Sequence, residues 1–541
     1  MIAAYFYLIS FSIIGYGLFL SKLLNIKINN FGFYGILGLF CLIYISYLTS
    51  IFIPHDEVFN ILVILVGFFF LIKFLKKIPN VNSNFLKLLI IQSIFLLFIF
   101  VGKNHDDFPY YHFPYISIIS EYSHPIGLGL MNNGFRNPSS IFFLNSLFKL
   151  PFIDIYLFHI GAAYFLLFAN LIFIHNIFNK EIFEKYKFFN LINLFFLAFF
   201  NIFFTRLAEH GTDRSGMIII VICIIYLMFI INNKQDDTIE KNKDLILLSF
   251  IFIVLTVSLK PFYLIYSPLF LIFFFYNHTK VLVLNLLFSR TTFLCLFFLV
   301  LAFFYTFINS SCIIFPVSFT CFENLPWSIS KKEIESVKQW YFLWSTAGAN
   351  PSFVIEDRAE YLSNFNWIPN WIENYFFNKV TDFILGITFL SLIFYFLFFK
   401  SLGKIEIVRN YKLIYFFIIF CFVEWFCFHP SLRYGGYHLI TLLIAIPLVL
   451  FIEKNKIEWK NYIFQSLILV TVVLIIFLGR NLSRLQSENQ KYNYNIFLDT
   501  NYKFIGGDKN YYLRYNKRIQ NKNFNLEYKK FIFKNILIIK N

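Results

Sequence analysis

The chain is expected to be an all-α, polytopic helical membrane protein with about 14 transmembrane helices and interfacial helices in its outer loops. Three observations carry this. Of 541 residues, 59% are hydrophobic and only 14% are charged, against roughly a quarter charged in a soluble chain. Apolar runs approaching the ~20 residues needed to cross a ~30 Å hydrocarbon core recur from one end to the other. Lys and Arg collect in alternate gaps between those runs, as orientation in a membrane demands. A soluble globular enzyme, a disordered chain and a nucleic-acid-binding domain are excluded. The 80 Phe residues accompany an excess of Ile, Asn and Lys, which reads as codon bias and carries no function.

In chain order the expected spans are 2–22, 32–54, 58–75, 85–102, 155–178, 187–205, 217–232, 245–259, 261–277, 291–309, 381–399, 411–428, 439–452 and 461–479. The N-terminus lacks a basic segment and a small-residue cleavage site, so the first span is expected to be retained. Pro261 breaks the backbone ladder beside Lys260, leaving either two short spans or one kinked helix with a re-entrant segment over 245–277. The domains expected are a transmembrane body over 1–479, with long outer loops at 103–154 and 309–380, and a basic tail over 480–541.

The gaps rich in Lys, such as Lys73, Lys76 and Lys77, or Lys400, Lys404, Arg409 and Lys412, should be cytoplasmic. The intervening gaps, 54–57, 103–154, 206–216, the turn at Lys260, 309–380 and 429–438, then face outward. The tail, with thirteen Lys or Arg against four Asp or Glu, fits this poorly, although long tails translocate largely regardless of charge. Four Cys (Cys41, Cys223, Cys295, Cys421) lie within spans and Cys427 near a span end, where a thiol acts as a small apolar group. Cys312 and Cys321 share an outer loop, where an oxidising exterior permits a disulfide; two unpaired thiols are the alternative.

No Walker A loop, GxGxxG, CxxC or HExxH is present, which argues against an ATPase or a zinc protease. Chemistry must then be built from the outer ends of the helices, where three polar clusters stand out. The first is Lys103-Asn104-His105-Asp106-Asp107-Phe108-Pro109-Tyr110-Tyr111-His112-Phe113-Pro114-Tyr115. Its carboxylates sit at an interface among aromatic rings, where lost hydration favours the role of general base, and its Tyr side chains suit a sugar face. A solvated helix end with an interfacial aromatic belt is the bland alternative. A short interfacial helix over 111–121 follows, and then Arg136, either a phosphate contact or an anchor. The second cluster runs from Thr205 to Gly216 and holds Arg206, Glu209, His210, Asp213 and Arg214. Glu209 and Asp213 share a face in a helical turn; they can join the first cluster, bind a divalent cation such as Mg or Mn through oxygen, or close a local salt network with Arg206 and Arg214. The third is Phe428-His429-Pro430-Ser431-Leu432-Arg433-Tyr434-Gly435-Gly436-Tyr437-His438, in which Arg433 can clamp a phosphate in two-pronged fashion. Lys260 offers a second cation at the same face.

With its many spans, Asp106-Asp107 in the first long outer loop ahead of an interfacial helix, and Arg433-Tyr434 after a late span, the chain resembles the GT-C superfamily of integral-membrane glycosyltransferases. Three additional spans precede the acidic loop compared with the usual pattern. The resemblance implies an inverting transferase that moves a sugar from a polyprenyl-phosphate-linked donor to a glycan, lipid or protein acceptor. Asp107, or else Asp106, would be the base, and Arg433 with Lys260 or Arg136 would hold the lipid phosphate. His105, Tyr111, His112, Glu209, His210, Asp213 and Tyr434 are the further substrate-contact candidates. The segment with Asn324-Leu325-Pro326-Trp327, Trp340, Trp344, Trp367 and Trp371 would form the outer part of an acceptor cleft. The expected location is a bacterial inner membrane, with membrane lipids as partners, no nucleic acid, and the site facing outward. An O-antigen polymerase or ligase would instead lean on His429, Arg433 and His438. A lipid-linked-glycan flippase or other transporter would give Glu424, inside a span, the leading part.

Overall fold

A computed structural model describes residues 2–76, 78, 81–101, 107–151, 160–207, 211–232, 239–275, 277–350, 354–399, 411–493, 495, 525–531 and 534–540. Each expected span is helical over most of its described residues. Eleven helices among the described residues are long and apolar enough to cross a membrane, judged by length and composition. Three more are shorter: Lys187–Phe203, Pro261–Phe275 and Lys412–Phe428. Ile160–Ile177, Thr212–Asn232 and Asn242–Leu259 are almost wholly enclosed, whereas Glu57–Leu75, Val81–Ile99, Arg290–Ser310 and Trp459–Tyr492 leave much of their apolar surface open. Exposed Phe389, Phe396, Phe416 and Phe420 belong to an apolar band larger than soluble monomers present to water. The arrangement is compatible with a multi-pass membrane protein.

Polar side chains link the central helices. Asn170 and Asn201 exchange side-chain hydrogen bonds of 3.0 and 2.8 Å, and Asn176 donates to Asn193 at 2.9 Å and to Tyr226 at 2.8 Å. Inside an apolar bundle, paired amides satisfy one another's hydrogen bonds and tie the helices together.

At Lys260 the chain doubles back. Lys260 N donates to Thr256 O, ending the helix Ile239–Leu259, and Tyr263 N donates to Lys260 O, starting the next. Phe250 and Phe270, ten positions either side of the turn, pack edge to face at 4.4 Å. The two-helix alternative at Pro261 is therefore the observed one. The second helix, Pro261–Phe275, is a 3₁₀ helix of 15 residues, which at ~2.0 Å per residue reaches about 30 Å.

The gaps assigned to one side by charge gather at one end. His55 N bonds Ile119 O, and His124 N bonds Ser50 O; Arg136 pairs with Glu333; Trp371 Nε1 donates to Pro430 O at 2.7 Å. The opposite set also meets, through Lys27 N to Asp244 at 3.1 Å and Phe188 N to Glu453 at 3.3 Å. Cys312 and Cys321 form a disulfide that closes over a small cluster of Phe315, Ile329 and Ile334.

The last long helix runs unbroken from Trp459 to Tyr492, because Arg480 and Arg484 reach back to carbonyls at the ends of neighbouring helices, Ile202 for the first and Leu97, Phe98 and Phe100 for the second. Beyond this helix the described residues hold two short strands. Asn525–Phe531 and Lys534–Lys540 pair antiparallel, in the register Asn525 to Lys540. Ile539 N donates to Ile126 O at 2.9 Å, so the second strand lies on the first long loop, at the same end as the polar clusters.

Candidate functional site

Four side chains from four separate stretches of chain meet at this end. Arg433 donates from Nε to Asp213 Oδ2 and from Nη2 to Asp107 Oδ2, each at 2.7 Å. Lys260 Nζ bonds the other oxygen, Asp213 Oδ1. Its ammonium also lies over the Tyr434 ring, 5.2 Å from the centroid.

Local structure aims each group. Asp213 occupies the first turn of Thr212–Asn232, where the helix dipole favours a carboxylate. Lys260 is the hairpin residue itself, and Tyr263, one 3₁₀ turn later, donates its hydroxyl to Asp213 O at 2.9 Å. Asp107 precedes a π-helical turn, Phe108–His112, that buries Phe108 and Pro109; such turns widen the backbone and re-aim side chains. Arg433 sits in a short 3₁₀ turn, Leu432–Tyr434. That loop is gripped by Trp425 Nε1 to Ser431 O at 2.8 Å, by Trp371 to Pro430, and by Leu432 N to Tyr375 Oη at 2.8 Å. Gly435 then adopts a φ of +123°, a conformation that a residue with Cβ resists, and lets Arg433 and the helix Gly436–Glu453 diverge sharply.

Exposure separates the roles. The Asp213 side chain is 4% exposed, while Asp107, Arg433 and Lys260 are 25%, 26% and 31% exposed. Asp213 is thus the buried anchor that holds two cations, and the other three are partly exposed. Burial works against the charge on Arg433, but Asp213 and Asp107 outweigh it and hold the guanidinium protonated well beyond its ordinary range. Beside the charged groups stand Tyr111, Tyr341 and Tyr434, whose phenols are pushed above the usual tyrosine value, chiefly by desolvation. They are hydrogen-bond donors across the physiological range. Trp344 packs against Tyr434 with centroids 5.4 Å apart. Tyr341 and Trp344 come from Lys331–Thr346, a helix capped by Ser330, whose side chain accepts from Glu333 N.

Of the candidate residues, Asp107, Asp213, Lys260, Arg433, Tyr434 and Tyr111 converge. His112 is buried and ringed by Phe108, Tyr111 and Phe142, so it packs beneath the cluster. Arg136 is also turned away: it pairs with Glu333, donates to Gly129 O at 3.1 Å and stacks on Phe315. Its charge is felt at the site only across Tyr341. His105, Asp106, Glu209 and His210 lie outside the described residues. The partners of Asp213 are remote in sequence; Arg214 lies over Phe204 and Tyr437, and the local network through Glu209 falls outside the described residues. Tyr341 and Tyr263 were missed by sequence reasoning; the run of rings ending Lys331–Thr346 was the available signal for the first.

A family model described as a domain of unknown function (DUF8201) matches residues 1–441. The chain belongs to the DUF8201 family. No curated protein and no solved structure matches it. The segment shared with DUF8201 contains Asp107, Asp213, Lys260 and Arg433 and ends eight residues beyond the last of these; the helix Trp459–Tyr492 and the paired strands lie after it.

Of the two carboxylates expected to bind a divalent cation, Glu209 lies outside the described residues. Both oxygens of Asp213 already accept from cationic side chains, and no three His, Cys, Asp or Glu gather to hold a metal ion among the described residues.

Proposed function

We propose that this chain is a membrane glycosyltransferase of GT-C type, moving a sugar from a polyprenyl-phosphate-linked donor to a glycan, lipid or protein acceptor at the outer face of the membrane. The observation that carries the reading is the bridge from Arg433 to Asp107 beside Lys260, at the membrane-proximal ends of apolar helices. In this reading the three shorter helices also cross the bilayer, giving fourteen crossings.

Asp107 accepts the proton of an acceptor hydroxyl. The oxygen attacks the anomeric carbon from the face opposite the phosphate, and the bond from that carbon to the phosphate oxygen breaks, with its electron pair leaving on the lipid phosphate. Protonation of Asp107 cancels the charge that held Arg433. The guanidinium is thereby released toward the phosphate as negative charge grows there, and Lys260 stands beside it. Asp213 stays behind as the fixed counter-charge, while the phenols of Tyr111, Tyr341 and Tyr434 supply donors for sugar hydroxyls.

The test is lipid-sugar-dependent transfer by Asp107→Asn and Asp106→Asn in the purified, folded chain. Loss in either supports the reading; wild-type rates in both remove it. Under the polymerase or ligase alternative, Asp107→Asn is tolerated and His429, Arg433 and His438 become essential. The burial of His438, with Nε2 2.6 Å from Tyr266 Oη, gives that histidine a structural partner and weighs against this alternative. For a transporter, the relevant contact is Glu424 Oε1 to His429 Nε2 at 3.9 Å, an ionisable pair near one helix end rather than at mid-membrane.

A further inference from the structure

A second basic site lies outside the four-residue cluster. The helix Trp459–Tyr492 has 34 residues, about 51 Å at 1.5 Å per residue, whereas the hydrocarbon core takes up only ~30 Å. Its apolar run ends at Leu478-Gly479, and Arg480 and Arg484 follow one helical turn apart. There a cavity of about 440 Å³ opens, lined by Arg206, Arg480, Arg484, Glu488, Ser483 and Ser487 among others. It brings three guanidinium groups against one carboxylate.

An arginine that merely anchors a helix at the interface leaves its guanidinium in water. Arg484 does not. Its Nη2 is fixed by the carbonyls of Leu97, Phe98 and Phe100 at 3.1, 3.2 and 2.8 Å, while its Nε and Nη1 are buried without a protein partner. Unmatched charged donors of this kind are costly unless an acceptor supplies the missing bonds. The exposed Ser483 hydroxyl adds a donor of the type that phosphate oxygens accept, while that of Ser487 donates to Ser483 O at 2.9 Å.

The neighbouring surface names the carrier of that phosphate. Ile468, Val472, Ile475 and Leu482 are exposed and recur every three or four residues along one face of the same helix. Gly479 falls in the same stripe and would meet nothing within 4 Å if it bore a Cβ. An open apolar track therefore runs along the helix up to the level of the cavity. We propose that this cavity binds the phosphate of a bilayer lipid whose chains lie along the exposed face of Trp459–Tyr492. The guanidinium groups bind the phosphate oxygens as charge-assisted donors, and the apolar stripe supplies the reason that a lipid is preferred to a free ion.

The experiment is native mass spectrometry of the full chain in detergent, titrated separately with phosphatidylglycerol, diacylglycerol and inorganic phosphate. Arg206→Gln and Arg480→Gln are the variants, because both side chains are exposed and their loss leaves the anchoring bonds of Arg484 intact. Phosphatidylglycerol should be retained by the wild type and at least tenfold less by each variant. Diacylglycerol, which lacks the phosphate, should not be retained. Equal retention of phosphatidylglycerol by wild type and both variants overturns the site, as does equal retention of diacylglycerol. Inorganic phosphate bound as tightly as the lipid overturns the choice of carrier. None of these readouts depends on sugar transfer, so the site stands or falls separately from the proposed activity.

Discussion

Arg433 and Asp213 stand 220 positions apart in the chain and meet through a hydrogen bond of 2.7 Å between Nε and Oδ2. The bond ties a loop held by three aromatic side chains to the first turn of a central helix. Asp213→Asn removes the one charge that both Arg433 and Lys260 share. With the cations a quarter to a third exposed, the expected loss is about 2–3 kcal/mol, read as a lowered Tm in detergent. An unchanged Tm would mean that the ion pairs add nothing to stability.

Arg433→Lys keeps the charge but not the fork that spans two carboxylates. Under the transferase reading, transfer should fall roughly 100-fold, the usual cost of one preorganised donor to developing charge, while Tm changes little. Full activity in this variant would show that a point charge suffices.

Two buried imidazoles make the fold sensitive to acid. Burial pushes His55 and His124 down to about 3, whereas an unfolded histidine titrates near 6.5. The unfolded chain therefore binds protons that the native state refuses. Stability is complete above about pH 6.5 and falls as pH drops toward 3, by about 2 kcal/mol per histidine at pH 5. Thermal unfolding at pH 7.5 and pH 5 checks this, and His124→Gln should flatten the dependence.

The Cys312 to Cys321 link closes a loop of nine residue steps. Its removal in Cys312→Ser should cost about 2–3 kcal/mol locally, seen as faster proteolysis of 309–330 with little change in the helical bundle. Cleavage at the wild-type rate would show that the small cluster of Phe315, Ile329 and Ile334 holds the loop by itself.

The helical runs were legible because the bilayer criterion is written in consecutive residues, and their alternation in Lys and Arg placed Asp107, Asp213, Lys260 and Arg433 at one end before any distance was known. The pairings were not legible. Asp213 lies beside Arg214 in sequence, and only the packing of four helices decides that Arg433 and Lys260 are its partners. The extension to Tyr492 was hidden by its content of Arg, Asn, Ser and Gln, which reads as a loop until carbonyls of neighbouring helices are there to receive the arginines. Tyr341 was hidden for a different reason, since an amphipathic helix in a loop does not announce which of its rings faces a site.

The hairpin partner of the Lys260 turn has a strict threefold register. Tyr263, Tyr266, Leu269 and Ile272, with Phe273 beside the last, are its inward residues, the first four spaced one per turn of about 120° per residue. A single inserted residue between Lys260 and Tyr263 would rotate that whole ridge by a third of a circle, swinging Tyr263 off Asp213 and Tyr266 off His438 in one step. In an α-helix the same insertion leaves a residue three or four places away to take over the vacated face. This segment has no such substitute, so its length is a setting with only discrete values: a three-residue insertion restores the ridge, and one or two do not.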